Sequence, residues 1–154
     1  MDARAHQRLF NLERQLAAIV ARTFINYSKG TYVPTYTGVT TAGVTTYTAQ
    51  DGFWTRVGRI VFFNGRVTWT AATGTGNAAV SLPAQSSNTA GMRYSSGSVR
   101  LANVTFANSA PEMRIEAGQT FFTMDSPLTN AATAIVQMEA AGDIIFGGWY
   151  NIIN

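Results

Sequence analysis

Side chains that could act in acid, base or metal chemistry are few in this chain and lie far apart in sequence. The chain has one histidine, His6, and no cysteine, so it can form no disulfide or cysteine-based zinc site, and we expect no Ser-His-Asp triad. Glycoside hydrolysis needs only a pair of carboxylates. The pool beyond residue 30 is Asp51, Glu112, Glu116, Asp125, Glu139 and Asp143. Most of these lie beside a turn glycine or at an outward-facing position of a predicted strand. A carboxylate at such a position faces solvent and needs no catalytic role to explain it. We therefore expect no enzyme, no cofactor and no metal site.

A binding site makes fewer demands on the sequence. Residues 84–97 are polar and rich in Ser, Asn and Gly, which favours an exposed loop. In such a loop an aromatic ring can stack on the apolar face of a sugar while polar neighbours bond its hydroxyl groups. The candidate ligand-binding residues are Asn88, Arg93, Tyr94 and Ser95. The alternative is that Tyr94 only plugs one end of the domain.

The distribution of charge argues against nucleic acid as a partner. The net charge of +3 lies entirely within residues 1–29, and residues 30–154 are neutral without a basic stripe. No apolar run approaches the ~18 residues of a membrane span, so we expect no membrane insertion. Arginines interrupt any apolar segment near the N-terminus, and no signal peptide is expected.

The N-terminal residues are predicted to form one helix. Ala, Leu, Arg, Gln and Glu dominate residues 2–28, with Asp2 as N-cap and Lys29-Gly30 as the stop. An apolar stripe follows the spacing of heptad a and d positions, as in Leu9, Leu12, Leu16 and Ile19. The helix could lie on its own domain, or it could join identical chains as a short parallel coiled coil. We favour the coiled coil, because no other helix is predicted to pack against it.

The stretch 52–70 predicts a β-hairpin with its turn at Asn64-Gly65, since a type I′ turn needs positive φ at both positions. Alternation outward from that turn gives one wholly apolar face, which we expect to be core: Ile60, Phe62, Val67 and Trp69. The opposite face mixes Val61 and Phe63 with charged and hydroxyl side chains. Because a solvated face should be more polar, we expect a second sheet or another subunit to cover Val61 and Phe63.

The rest of the chain reads as short strands separated by turns. Predicted strands cover 78–82, 99–106, 112–117, 120–124, 134–139 and 144–153, where 99–106 is either one strand or two strands broken at Asn103. Met113, Ile115, Val136 and Met138 are expected to point inward. No helices alternate with these strands, which excludes a parallel α/β fold. The predicted fold class is mainly β: an antiparallel, jelly-roll-like β-sandwich preceded by one N-terminal α-helix.

The order of these segments resembles the C-terminal head domains of bacteriophage tail fibres and receptor-binding proteins. The matching segments are Tyr32-Val33-Pro34, Gly52-Phe53-Trp54-Thr55-Arg56-Val57-Gly58, Thr73-Gly74-Thr75-Gly76, Ser81-Leu82-Pro83 and Phe146-Gly147-Gly148-Trp149-Tyr150. Trp54 stands where that family usually has Tyr. The resemblance covers about residues 32–150 and implies a trimeric β-sandwich head on a helical stem, carried on a virion. Such heads commonly bind host-surface saccharides.

These observations predict a homotrimeric virion fibre or spike that adsorbs to a host surface polysaccharide. Residues 1–30 would form a stem that docks to other virion proteins, and residues 31–154 would form the head. The expected trimer-interface residues are Leu9, Leu12, Leu16, Ile19, Val61 and Phe63. The alternatives are a capsid or baseplate fibre without a ligand and, less favoured, a glycan-degrading enzyme.

Overall fold

The described residues form one N-terminal helix followed by a single antiparallel sheet of ten strands that curls into a half-barrel. The computed structural model describes residues 2–24, 27–89, 97–107, 111–126 and 133–152, without the side chains of residues 20–24. The elements are α1 (Ala3–Phe24), β1 (Tyr27–Tyr32), β2 (Tyr36–Gly38), β3 (Thr45–Val57), β4 (Ile60–Ala72), β5 (Ala78–Ser81), β6 (Gly97–Ala102), β7 (Glu112–Arg114), β8 (Phe121–Ser126), β9 (Ala134–Ile135) and β10 (Gly142–Asn151). The predicted mainly-β antiparallel fold with an N-terminal helix is confirmed.

Strand pairing makes one continuous sheet instead of two separate ones. The strand order is β1-β3-β4-β10-β6-β7-β8-β5-β2, and β9 pairs with β8. The curl brings the β2 edge back over β4, where the rings of Tyr36 and Trp69 stack with centroids 3.9 Å apart. Phe63 of β4 likewise faces Phe122 of β8 across the core, at 6.1 Å between ring centroids. The inside of the curl is therefore a closed, aromatic-rich core.

Helix α1 begins as predicted but ends earlier. The Asp2 carboxylate accepts a hydrogen bond from the Arg4 backbone N–H at 3.3 Å, which confirms Asp2 as the N-cap. The predicted stop at Lys29-Gly30 is wrong, because both residues lie in β1, paired with β3. Gly30 is opposite Trp54, and a Cβ atom on Gly30 would lie 3.1 Å from the indole nitrogen. The first strand of the sheet thus begins at Tyr27, inside the predicted stem.

The predicted hairpin at Asn64-Gly65 is wrong. Both residues lie in the middle of β4, where they pair with Phe53 and Gly52 of β3. The turn between β3 and β4 is instead at Gly58-Arg59, and Gly58 has the positive φ of 61° that such a turn requires. Strand β4 is bonded along its length to β3 on one side and β10 on the other, and this tertiary pairing overrides the local preference of Asn-Gly for a turn.

Moving the turn changes which side chains of β4 face inward. In a continuous strand alternate residues share a face, so Val61, Phe63, Val67 and Trp69 all point into the core and are 0–4% exposed. Ile60 and Phe62 were expected in the core but point outward. The predictions for Val67 and Trp69 are confirmed, as are those for Met113, Ile115 and Val136, all of them buried.

Within the part of the chain that the structure describes, no helix is both long enough and apolar enough to cross a bilayer.

Candidate functional site

The predicted ligand-binding loop lies only partly within the described residues. Arg93, Tyr94 and Ser95 fall outside them. Asn88 is exposed and lies beside the β7–β8 turn, where a Cβ atom on Gly118 would be 3.6 Å from the Asn88 Cβ. The start of this loop therefore lies beside the turn between β7 and β8.

Segment 85–88 is anchored to that turn by hydrogen bonds. The Gln85 side-chain amide donates to the Gly118 carbonyl at 2.7 Å, and the Gly118 N–H donates to the Ser87 carbonyl at 3.0 Å. The Ser86 hydroxyl is fully buried, donates to the Glu116 carbonyl at 2.7 Å and accepts from the Gln119 N–H at 3.0 Å. These bonds hold the loop next to Glu116 and Gln119.

Glu116 and Gln119 belong to a polar hollow on the outer side of β7 and β8. Its volume is about 190 Å³. Its lining combines polar and charged side chains with one aromatic and one aliphatic group: Val39, Asn77, Arg114, Glu116, Gln119, Phe121 and Thr123. We call this the polar hollow. Sequence reasoning missed it, because its residues come from four separate parts of the chain.

Arg114 is the central charge of the polar hollow. Its guanidinium lies 3.6 Å from the Glu116 carboxylate, and its Nε lies 3.4 Å from Asp125 Oδ2. The Arg114 and Asp125 side chains are mostly buried, whereas Glu116 is exposed. Asn77 is held in turn by Gln137, whose amide donates to Asn77 Oδ1 at 3.0 Å. The polar groups are therefore positioned by the fold.

A second surface is the outer side of β1, β3, β4 and β10. Strand alternation and cross-strand register place large apolar side chains there side by side, and each is at least one-third exposed. They are Tyr27, Phe53, Val57, Ile60, Phe62, Ile145 and Trp149. We call this set the outer apolar face. Two shallow hollows of about 230 Å³ each adjoin Phe53 and Asn64 within it.

An ionic cluster borders the outer apolar face. The Asp143 carboxylate accepts hydrogen bonds from Arg66 Nε at 2.7 Å and from the Thr68 hydroxyl at 2.6 Å, and Arg100 lies 4.0 Å away. Burial alone would raise the pKa of Asp143, but the two hydrogen bonds and the charges of Arg66 and Arg100 together lower it. The cluster thus stabilises the ionised form of Asp143 on β10 through side chains of the neighbouring strands β4 and β6.

The predicted trimer-interface residues fall into two groups. Leu9, Leu12, Leu16 and Ile19 are 47–62% exposed, and the described side chains of α1 are all exposed instead of lying on the sheet. Val61 and Phe63 are 2% and 4% exposed because they pack within the core of their own chain. They cannot form the predicted contact with another subunit, and the outward positions on β4 are those of Ile60 and Phe62.

The described residues contain no cluster of three or more His, Cys, Asp or Glu that could hold a metal ion. His6 is exposed on α1. Of the three tryptophans, Trp69 is core, Trp54 is partly buried and Trp149 is on the outer apolar face.

No protein-family model, curated protein or solved structure matches the chain.

Proposed function

We propose that the protein is a homotrimeric virion fibre or spike that adsorbs to a saccharide on the host surface. The observation that carries the proposal is a chain with two large uncovered apolar surfaces, the α1 stripe and the outer apolar face. The resemblance of the segments between residues 32 and 150 to phage receptor-binding heads supports the same assignment. In this proposal α1 is the stem that docks to other virion proteins.

The stripe on α1 supports assembly through the stem. Leu9, Leu12, Leu16 and Ile19 follow a and d spacing on a helix whose described side chains are all exposed. In proteins most helical stability comes from packing an apolar face, so a helix with an exposed apolar stripe lacks its main source of stability. A parallel bundle of identical helices would supply that packing.

The outer apolar face supports contact between heads. Its four aromatic side chains are 44–58% exposed, and at about 200 Å² per ring they present about 400 Å² of surface. With Val57, Ile60 and Ile145 added, the patch exceeds what a soluble monomer ordinarily exposes. Tyr27 lies three residues beyond the end of α1, so the face begins where the stem ends. A second copy of the same chain is therefore the occupant we propose.

The proposed assembly leaves the ligand-binding end of the head open. Strand β6 separates β7 and β8 from β10, the last strand of the outer apolar face, so the polar hollow lies outside that face. The curl packs β8 over β4 and β10 around one core, which supports a jelly-roll-like head. Adsorption through loops at this end is compatible with three copies sharing one axis.

Binding of the isolated protein to a glycan array and to host cells tests the proposal. We expect saccharide-dependent binding that competing free polysaccharide abolishes, and a trimer mass by light scattering. A trimer that binds neither cells nor any glycan would instead identify a structural fibre or decoration protein. A monomer at micromolar concentration would refute the assembly.

A further inference from the structure

We infer that the polar hollow between β5, β7 and β8 is a subsite for one neutral sugar unit of the saccharide. This inference rests on the proposed adsorption function and adds to it a place on the head and a ligand class. The polar hollow brings Asn77, Arg114, Glu116 and Gln119 together around Phe121.

The lining matches the two kinds of contact that a sugar ring makes. The Phe121 ring is partly exposed and provides an apolar surface for the C–H face of a pyranose. The Glu116 carboxylate can only accept hydrogen bonds, the Arg114 guanidinium can only donate, and the amides of Asn77 and Gln119 do both. Neighbouring hydroxyl groups need such alternating donors and acceptors, because each hydroxyl both gives and receives.

The polar groups are held in place before any ligand arrives. Arg114 lies between two carboxylates, at 3.6 Å from Glu116 and 3.4 Å from Asp125. The Gln137 amide donates a hydrogen bond to the Asn77 side chain. The buried Ser86 hydroxyl bonds the Glu116 carbonyl and the Gln119 N–H and so holds the backbone of the 116–119 turn. A site whose groups are already oriented loses less conformational entropy on binding.

Charge selects the class of sugar. The single guanidinium of the polar hollow already faces the carboxylates of Glu116 and Asp125, so the site carries more negative than positive charge. An acidic sugar would bring a further carboxylate close to Glu116, and like charges repel. The polar hollow therefore favours a neutral hexose over a uronic or sialic acid.

The position of the polar hollow fits a longer chain of sugars. Segment 85–88 is hydrogen-bonded to the 116–119 turn, which carries Glu116 and Gln119 of the polar hollow. A volume of about 190 Å³ leaves the remaining sugar units of a polysaccharide outside the polar hollow, where exposed Asn88 beside that turn could contact them.

The test uses the full-length protein on an array of neutral and uronic-acid oligosaccharides, followed by calorimetry with the strongest ligand. Glu116→Gln and Phe121→Leu should each weaken binding of a neutral oligosaccharide by about tenfold, the loss expected for one charge-assisted hydrogen bond or one buried ring face. Glu112→Gln is the matched control. It makes the same change on β7, four residues before Glu116 and outside the polar hollow, and should leave affinity unchanged.

The outcomes separate this inference from the adsorption function. Saccharide binding that is unchanged in both Glu116→Gln and Phe121→Leu would overturn the subsite while adsorption stands. Binding restricted to uronic-acid ligands would overturn the neutral class. A wild-type protein that binds no saccharide would overturn both proposals. Thermal melting of each variant shows whether a lost affinity reflects a lost fold, and Phe121→Leu retains most of the apolar volume for that reason.

Discussion

Adjacent phenylalanines on β4 test the strand register directly. Phe63 is 4% exposed, and its ring centroid lies 5.5 Å from that of Tyr150 and 6.0 Å from that of Phe146. Phe62 is 47% exposed and belongs to the outer apolar face. Replacing each by alanine removes the same atoms from opposite sides of one strand. The two variants therefore differ only in whether the lost ring faced the core or the outer apolar face.

The burial of each ring sets the expected loss of unfolding free energy. A fully buried phenylalanine removes about 200 Å² from water, worth about 5 kcal/mol at 25 cal/mol per Å². Measured Phe→Ala changes in protein cores are about 3–5 kcal/mol, and we expect that loss for Phe63→Ala. Within its own chain Phe62→Ala should cost about half as much or less, because the Phe62 side chain is 47% exposed there before any second copy covers it.

Urea denaturation at two subunit concentrations is the assay. A loss in the core should not depend on protein concentration, whereas a loss at a subunit contact should shrink as the protein is diluted, because the contact is no longer made in dissociated chains. We therefore expect Phe63→Ala to lower stability equally at both concentrations and Phe62→Ala to have the concentration-dependent effect. A larger, concentration-independent loss for Phe62→Ala would place that ring in the core and restore the hairpin at Asn64-Gly65.

Three further predictions follow from the stem, the sheet and the ionic cluster. Leu12→Asp should dissociate the trimer to monomers by light scattering, whereas Gln7→Asp on the opposite side of the helix should not; an unchanged mass for Leu12→Asp refutes the stem. Gly65→Ala should destabilise the fold by about 1–3 kcal/mol, because the new Cβ would lie 2.5 Å from the Asp51 carbonyl oxygen. Gly147→Ala is the control and should be tolerated, because its Cβ would lie no closer than 3.6 Å to its neighbours. Equal melting temperatures of the two variants would contradict this prediction. Asp143→Asn should cost about 1–2 kcal/mol at pH 7 in chemical denaturation, and a difference that is undiminished at pH 3 would show that charge is not the cause.

The sign of the pH effect follows from the direction of the pKa shift. The pKa of Asp143 is lower in the folded chain than its ordinary value of 3.8. Ionised Asp143 therefore stabilises the fold above that ordinary value, and the stabilisation is lost as pH falls through the lowered pKa. The difference between wild type and Asp143→Asn should be constant near neutral pH and shrink below about pH 4.

Elements with strong local signals were predictable. Asp2 caps α1, and β5 stops shortly before Pro83. Strands β7 and β8 form the expected antiparallel pair around the Ala117-Gly118 turn, where Gly118 has a φ of +74°. In each case the signal lies within a few residues, so a cap, a proline or a glycine is enough to specify it.

The polar hollow could not be predicted in the same way. Val39 follows β2, Asn77 precedes β5, and Arg114 and Phe121 come from β7 and β8. Each of these residues reads as an ordinary loop or strand residue in its own segment. Only the pairing of β2 with β5, of β5 with β8 and of β7 with β8 brings them around one volume.

By itself the sequence determined the helix with its apolar stripe, the antiparallel β class and the lack of cysteine chemistry, because composition and short-range periodicity carry that information. Tertiary structure decided which side of β4 is core. Asn64-Gly65 favours a turn locally, but β4 gains hydrogen-bonded partners on both edges by running straight through it. That choice reverses the facing of Val61 and Phe63 relative to Ile60 and Phe62, since side chains alternate at every residue of a strand. Long-range strand pairing therefore determines which side chains make up the outer apolar face and the polar hollow. No local sequence pattern could have specified either set.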